Sequence, residues 1–211
     1  MMKHEEESLN ISKISSFNTF PVKSNLEESQ EIKTTDNYYS PAISISELIN
    51  QALKYHSEGE ITKAKKYYQC CINKGCNEAR IYLNYGVICK QKGDIHQAVE
   101  LYKEAIKHDP EQPEAYSNLS LILKDLKRYK EAESCLKKAI SLRPDYIDAI
   151  LNLSQLLYEK GDLINAEINL RNAITLEPRN FIANLNLGAL LKDTGKLKEA
   201  EFSYLKAIEI Q

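Results

Sequence analysis

The chain has 211 residues, of which 43% are hydrophobic and 27% are charged, and its formal net charge is -2. This composition excludes fibrous, collagenous and membrane-spanning proteins, since no apolar run approaches the ~20 residues that a membrane helix needs. The near-neutral charge argues against a nucleic-acid partner, because binding DNA or RNA depends on many lysine and arginine contacts to phosphates. The first residues lack the apolar core of a secretory signal, so we expect a cytoplasmic protein.

The cysteines and histidines of this sequence do not have the spacing found in catalytic and metal sites. An odd number of cysteines, five, in a chain with enough apolar residues to form its own core predicts free thiols. Cys70, Cys71, Cys76 and Cys89 are close in sequence but lack the CxxC spacing of zinc sites. The sequence has no phosphate loop, dinucleotide fingerprint or hydrolase elbow, and its four histidines have no suitably placed nucleophile or carboxylate. We therefore expect no catalytic residue, no cofactor and no metal site.

A 34-residue repeat organises the chain from Ile45 onward. Alanine recurs at its twentieth position and isoleucine at its twenty-eighth position in every copy. The repeat defines five units, of which the last is incomplete: residues 45–78, 79–112, 113–146, 147–180 and 181–211. Seven glycines and six prolines are too few for the many turns of a sandwich or barrel, so we predict a helical chain.

Three kinds of residue predict two antiparallel helices in each unit. A glycine at position fifteen predicts a left-handed turn that ends the first helix, and Lys127 takes this position in the third unit. A proline at position thirty-two, such as Pro110, stops the second helix because it cannot donate the next backbone hydrogen bond. Small residues at positions eight and twenty, such as Gly86 and Ala98, allow the two helices to cross closely.

Two units carry the pattern of a known repeat family most clearly. In the second unit the pattern comprises Tyr82, Tyr85, Gly86, Ala98, Tyr102, Ala105 and Pro110. In the third unit it comprises Tyr116, Leu119, Ala132, Leu136, Ala139 and Pro144. Over residues 45–211 the chain resembles the tetratricopeptide repeat family. The resemblance implies an all-α fold, a right-handed superhelical solenoid of helix-turn-helix units with first helices lining a concave groove and second helices forming a convex outside.

The last unit departs from this pattern in two ways. Its fourth position, which holds a large apolar or aromatic residue in the other units, is Asn184, so we expect this unit to lack its anchor. It also stops before the proline position, and no further helix in the sequence would cover its second helix. We therefore expect either that the chain is truncated relative to its functional form or that it self-associates near Phe202, Leu205 and Ile208.

Residues 1–44 do not share the repeat. They contain seven acidic residues, four lysines and few apolar side chains, which predicts a mostly disordered tail. A second interpretation stays open, in which Phe17 to Val22 is an extended segment that docks in a groove.

Position six is asparagine in every unit. These residues are Asn50, Asn84, Asn118, Asn152 and Asn186. Helical spacing places position six with positions two, nine and thirteen on one face of the first helix. An amide offers a carbonyl acceptor and two donors, so a row of amides can hold an extended peptide by its backbone. Asparagine is also common at this position in the family, and duplicated units inherit residues together, so an inherited consensus remains the alternative.

Apolar residues flank the asparagines. They are Ile49, Leu83, Leu151 and Leu185 at position five and Leu53, Val87 and Leu121 at position nine. Exposed together, they would form an interaction surface, whereas tight curvature would bury them between neighbouring first helices. A clamp for a terminal carboxylate is rejected, because it would need cations at positions two and five, where only Arg80 is basic.

Two functions remain. The first is a non-catalytic protein-protein interaction scaffold that binds an extended peptide or protein segment in its concave groove. The second is a substrate-recruiting arm of a larger enzyme, since residues 116–120 and 150–154 resemble the asparagine-lined superhelix of the O-linked N-acetylglucosamine transferases. Sulfotransferase and methyltransferase domains also follow repeats of this type, so the second function would not name the reaction. Sequencing the gene beyond residue 211 distinguishes the two.

Overall fold

The computed structural model describes residues 43–210, which form ten α-helices and no β-strand. In chain order these are α1 (Ile45–Ser57), α2 (Ile61–Asn73), α3 (Ala79–Lys92), α4 (Ile95–His108), α5 (Pro113–Asp125), α6 (Tyr129–Leu142), α7 (Ile147–Glu159), α8 (Leu163–Leu176), α9 (Phe181–Asp193) and α10 (Leu197–Ile210). The prediction of an all-α helical-repeat fold is confirmed. The predicted tail falls almost entirely outside the described residues.

The helices pack in consecutive pairs, from α1 with α2 to α9 with α10. Each second helix also packs against the first helix of the next pair, as α8 does against α9, so one apolar core continues along the stack. The alanines at position twenty are buried, Ala98, Ala132 and Ala166 completely. Burial of so small a side chain allows the two helix backbones of a pair to approach closely.

The tightest contact within a pair is at position eight. A Cβ built on Gly86 of α3 would lie 2.6 Å from Cε1 of Tyr102 on α4, closer than real Cβ atoms approach a carbon. In the third unit the equivalent positions hold Ser120 and Leu136, which are both buried. Glycine at position eight accompanies tyrosine at position twenty-four in units two and five, and serine accompanies leucine in units three and four, while unit one combines Ala52 with Tyr68.

A left-handed residue ends the first helix of the third unit, as it does in the others. Gly93 has φ 83°, and Lys127 has φ 59° at the same repeat position. The turn is closed in the same way in both units: Asp94 N–H donates to Cys89 O and Arg128 N–H donates to Leu123 O, each at 2.8 Å. The prediction of a left-handed turn at Lys127 is confirmed.

Replacing Lys127 with glycine is expected to stabilise the protein by about 0.5–1 kcal/mol. The left-handed conformation costs a residue with a Cβ about 1–2 kcal/mol, and glycine removes this cost. Glycine also increases the conformational entropy of the unfolded chain, which offsets part of the stabilisation. The melting temperature should rise by a few degrees in thermal unfolding. Lys127→Ala is the matched control, since it removes the same charge but keeps the Cβ and should bring no such gain. A glycine variant that melts below the parent would contradict the explanation.

In units two, three and five, the side chain at position four hydrogen-bonds a backbone carbonyl at the end of the unit before it. The Tyr82 hydroxyl donates to the carbonyl of Cys76 at 2.7 Å. In the last unit Asn184 is buried, and its Nδ2 donates to the carbonyls of Pro178 at 3.3 Å and Asn180 at 2.9 Å. The expectation that the last unit lacks its anchor is therefore wrong. The Asn184 amide bonds the carbonyl six residues before it, as the Tyr82 hydroxyl does in the second unit.

Candidate functional site

The first helices of units two to four lie closer to one another than the second helices of these units do. Helix α3 packs against α5, and α5 packs against α7. Within residues 43–210, backbone contacts between second helices of neighbouring pairs are marginal at most. Stacked pairs that are closer on one side bend toward that side, so α3, α5 and α7 lie on the inner side of units two to four.

One stripe of each first helix faces solvent. We call it the first-helix face and define it by repeat positions two, six, nine and thirteen. In units three to five its members are Glu114, Asn118, Leu121, Asp125, Asp148, Asn152, Gln155, Glu159, Ile182, Asn186, Ala189 and Asp193. All of them are half-buried or exposed, whereas position eight on the opposite side of each helix is buried. The predicted grouping of these four positions on one exposed stripe therefore matches their burial.

The five asparagines of position six differ in their contacts. Asn50 is exposed and the other four are half-buried. The Asn84 amide lies beside the hydroxyl of Tyr68 on the second helix of the preceding unit, where it lowers the pKa of that hydroxyl against the larger, opposite effect of burial. The side chains of Asn118, Asn152 and Asn186 make no hydrogen bond to any other residue that the structure describes. These three amides have their full donor and acceptor capacity available to a ligand.

The flanking apolar residues are less accessible than a continuous stripe would require. Leu83 and Leu151 at position five are only 8% and 3% exposed, so the prediction that they face a ligand is wrong. A residue one position before the asparagine points about 100° further around the helix, which turns it into the packed stack. Leu185 at position five and Val87 and Leu121 at position nine are half-buried and keep some accessible surface.

A row of polar contacts runs along one edge of the first-helix face. Nζ of Lys124 at position twelve lies 3.3 Å from Oε1 of Glu159, which is at position thirteen of the next unit. One unit further on, the Tyr158 hydroxyl donates to the carboxylate of Asp193. The predicted site did not include this row, although acidic residues at position thirteen of three successive units are its signal in the sequence: Asp125, Glu159 and Asp193. The contacts tie neighbouring first helices together and hold the face in register.

At the N-terminal end, buried rings give this part of the face a structural role. Nδ1 of His56 lies 2.7 Å from the Tyr68 hydroxyl, and the Tyr68 ring stacks on Tyr85 with centroids 6.2 Å apart. Burial lowers the pKa of His56, which therefore favours the neutral imidazole. Asn84 lies beside Tyr68 and therefore at the edge of this network, unlike the other asparagines of position six.

Burial raises the pKa of four cysteine thiols, those of Cys70, Cys71, Cys89 and Cys135. All five are free thiols, and burial raises the pKa of Cys71 to about 12. A thiol with so high a pKa is a poor nucleophile and a poor metal ligand at neutral pH, because the thiolate is the reactive form. Among residues 43–210 no group of three or more histidine, cysteine or acidic side chains could hold a metal ion.

Family models match most of the repeat region. The TPR repeat model matches residues 86–126, and the tetratricopeptide repeat model matches residues 113–146, 147–180 and 182–211. The chain belongs to the tetratricopeptide repeat family. A comparison with curated proteins found no match.

Solved structures of repeat proteins share the fold. A crystal structure of MamA protein is 22% identical, with a TM-score of 0.70 over 79% of this chain and 91% of that one. YrrB, described as a TPR protein with an unusual peptide-binding site, is 21% identical, with a TM-score of 0.69 over 84% of this chain and 91% of that one. Pseudomonas aeruginosa pilF is 20% identical, with a TM-score of 0.70 over 79% of this chain and 76% of that one. At these identities the likeness concerns the fold. No helix within residues 43–210 is long and apolar enough to cross a membrane.

Proposed function

We propose that this chain is a protein-interaction scaffold that holds an extended peptide segment along the first-helix face. The observation that carries the proposal is a row of three amides, one in each of three successive units, that have no hydrogen-bond partner among residues 43–210: Asn118, Asn152 and Asn186. Membership of a repeat family supports it, since stacked helix pairs present extended inner surfaces of this kind.

The chemistry of the amides suits a peptide backbone. Each asparagine can accept from a backbone N–H and donate to a backbone carbonyl without reading the peptide side chains. Each such bond contributes about 0.5–1.5 kcal/mol net, because the free amide exchanges water for the ligand. Several bonds in a row are therefore needed to offset the cost of ordering a flexible peptide. The half-buried Leu121 beside Asn118 adds apolar contact to the same stretch.

Nuclear magnetic resonance of the isotopically labelled full chain tests where a peptide binds. The probe is a capped, neutral peptide of alternating serine and threonine, which offers a backbone but no charged or large apolar side chain. We expect chemical-shift changes at Asn118, Leu121 and Asn152 that grow with peptide concentration, and none at Lys137 and Glu201 on the second helices. Shifts confined to the second helices, or none at saturating peptide, would overturn the proposal.

Self-association is a separate proposal that rests on helix α10. Its side chains Phe202, Leu205 and Ile208 are 63%, 58% and 70% exposed, so a large apolar area faces solvent. Light scattering should show a mass that increases with protein concentration, and Phe202→Ser should reduce this increase. Glu100→Gln, which removes an exposed carboxylate from helix α4 instead, is the control and should leave it unchanged. A monomeric mass at every concentration would contradict self-association.

The alternative function, a substrate-recruiting arm of a larger glycosyltransferase-type, sulfotransferase-type or methyltransferase-type enzyme, stays a prediction. The gene sequence beyond residue 211 tests it directly.

A further inference from the structure

The charges on the first-helix face change sign along the chain. In units one and two the only formal charge at positions two, six, nine and thirteen is Arg80, which is paired with Glu78. In units three to five every formal charge at these positions is negative: Glu114, Asp125, Asp148, Glu159 and Asp193. This part of the face therefore differs in charge from the protein as a whole, which is close to neutral.

Cations of the protein neutralise part of this negative charge. Arg143 Nη2 lies 2.6 Å from Oε1 of Glu114, and Lys124 pairs with Glu159. Lys90 lies close enough to Asp125 for the carboxylate to raise its pKa, although burial has the larger and opposite effect. Asp148 and Asp193 have no ion-pair partner among residues 43–210.

Asp148 has the surroundings of a carboxylate that lacks a counter-ion. It is half-buried on α7, and both burial and the nearby Glu177 raise its pKa. A cation placed beside it would remove the electrostatic cost that these surroundings impose on the charged form. Asp148 lies four residues before Asn152, so the two side chains are neighbours on one face of α7. A peptide backbone held by Asn152 therefore brings a peptide side chain within reach of Asp148.

We infer that units three to five of the first-helix face bind an extended peptide that carries lysine or arginine, with one such side chain beside Asp148. This inference rests on the proposed function and adds the charge of the ligand to it. Opposite charges on ligand and face speed association and select the partner, and like charges exclude acidic segments. The unpartnered amides supply backbone contacts, and the carboxylates supply the preference for basic side chains.

Calorimetric titration of the full chain with three capped peptides tests the inference. The peptides alternate serine with lysine, with glutamate or with threonine, so they differ only in charge. We expect the lysine peptide to bind tightest and the glutamate peptide weakest, and the difference to shrink as salt is added. Equal affinities, or preference for the glutamate peptide, would overturn the inference.

Asp148→Asn locates the effect. The substitution keeps the shape and removes the charge, so it should weaken the lysine peptide by about three- to tenfold and leave the threonine peptide unchanged. The matched control is Glu201→Gln, which removes one carboxylate from a second helix and should change neither affinity. An equal loss for both variants would show non-specific attraction and overturn the inference. If the threonine peptide binds the first-helix face as tightly as the lysine peptide does, the inference fails while the proposed function stands. If none of the three peptides binds that face, the proposed function itself fails.

Discussion

Replacing Gly86 with serine is expected to destabilise the protein by about 1–3 kcal/mol. The new Cβ would lie 2.6 Å from Cε1 of Tyr102 and 2.8 Å from its Cδ1. Both residues are buried, so the ring can only move by displacing other core atoms, and overpacking of this kind typically has a cost in that range. The gain from replacing a helical glycine, about 0.5–1 kcal/mol, offsets only part of it. Denaturant unfolding measures the change.

A double-mutant cycle with Tyr102→Leu tests the reason for this loss. Tyr102→Leu alone should also destabilise, because a smaller side chain leaves a cavity against Gly86. The two changes together recreate the Ser120 and Leu136 combination of the third unit, so the double variant should lose at least about 1 kcal/mol less than the sum of the single losses. Additive losses would show that the contact between positions eight and twenty-four is not what makes glycine necessary.

Much of the fold could be predicted from the sequence because the same residue pattern recurs in five units, so each unit is independent evidence for the same pair of helices. The left-handed turn at Lys127 is an example, since four glycines at the equivalent position revealed a backbone requirement that a lysine would have hidden. Asn184 is a position where the repeat pattern alone misleads. The pattern identified a missing aromatic residue, but only the packed structure shows that its amide reaches the carbonyl of Pro178.

The candidate site could be predicted in part, for a physical reason. Positions on one helix face follow from helical geometry, so the asparagine row needed no tertiary information. The burial of Leu83 and Leu151 depends on how closely neighbouring first helices pack, which the periodicity of a single helix does not contain. The contact between Lys124 and Glu159 joins residues of successive units and has the same dependence.

Replacing Asn118 and Asn152 with alanine is expected to weaken peptide binding by about tenfold or more. The variant removes two sets of amide hydrogen bonds to the ligand, each worth about 0.5–1.5 kcal/mol net. Stability should change little, because neither amide bonds another described residue and water replaces the ligand in the free protein. Asn84→Ala should behave differently and lower stability, since its amide lies against the buried ring of Tyr68.

The decisive measurement is calorimetric affinity of the Asn118 and Asn152 double variant for whichever of the three synthetic peptides binds the parent chain tightest, with denaturant unfolding of the same preparations. Asn172→Ala is the matched control, since Asn172 is an exposed asparagine on the second helix α8. A backbone-holding face predicts a loss of about tenfold in affinity for the double variant, with an unchanged unfolding midpoint and no effect of the control. Unchanged affinity, or a fall in affinity that only accompanies a lower unfolding midpoint, would contradict the central claim.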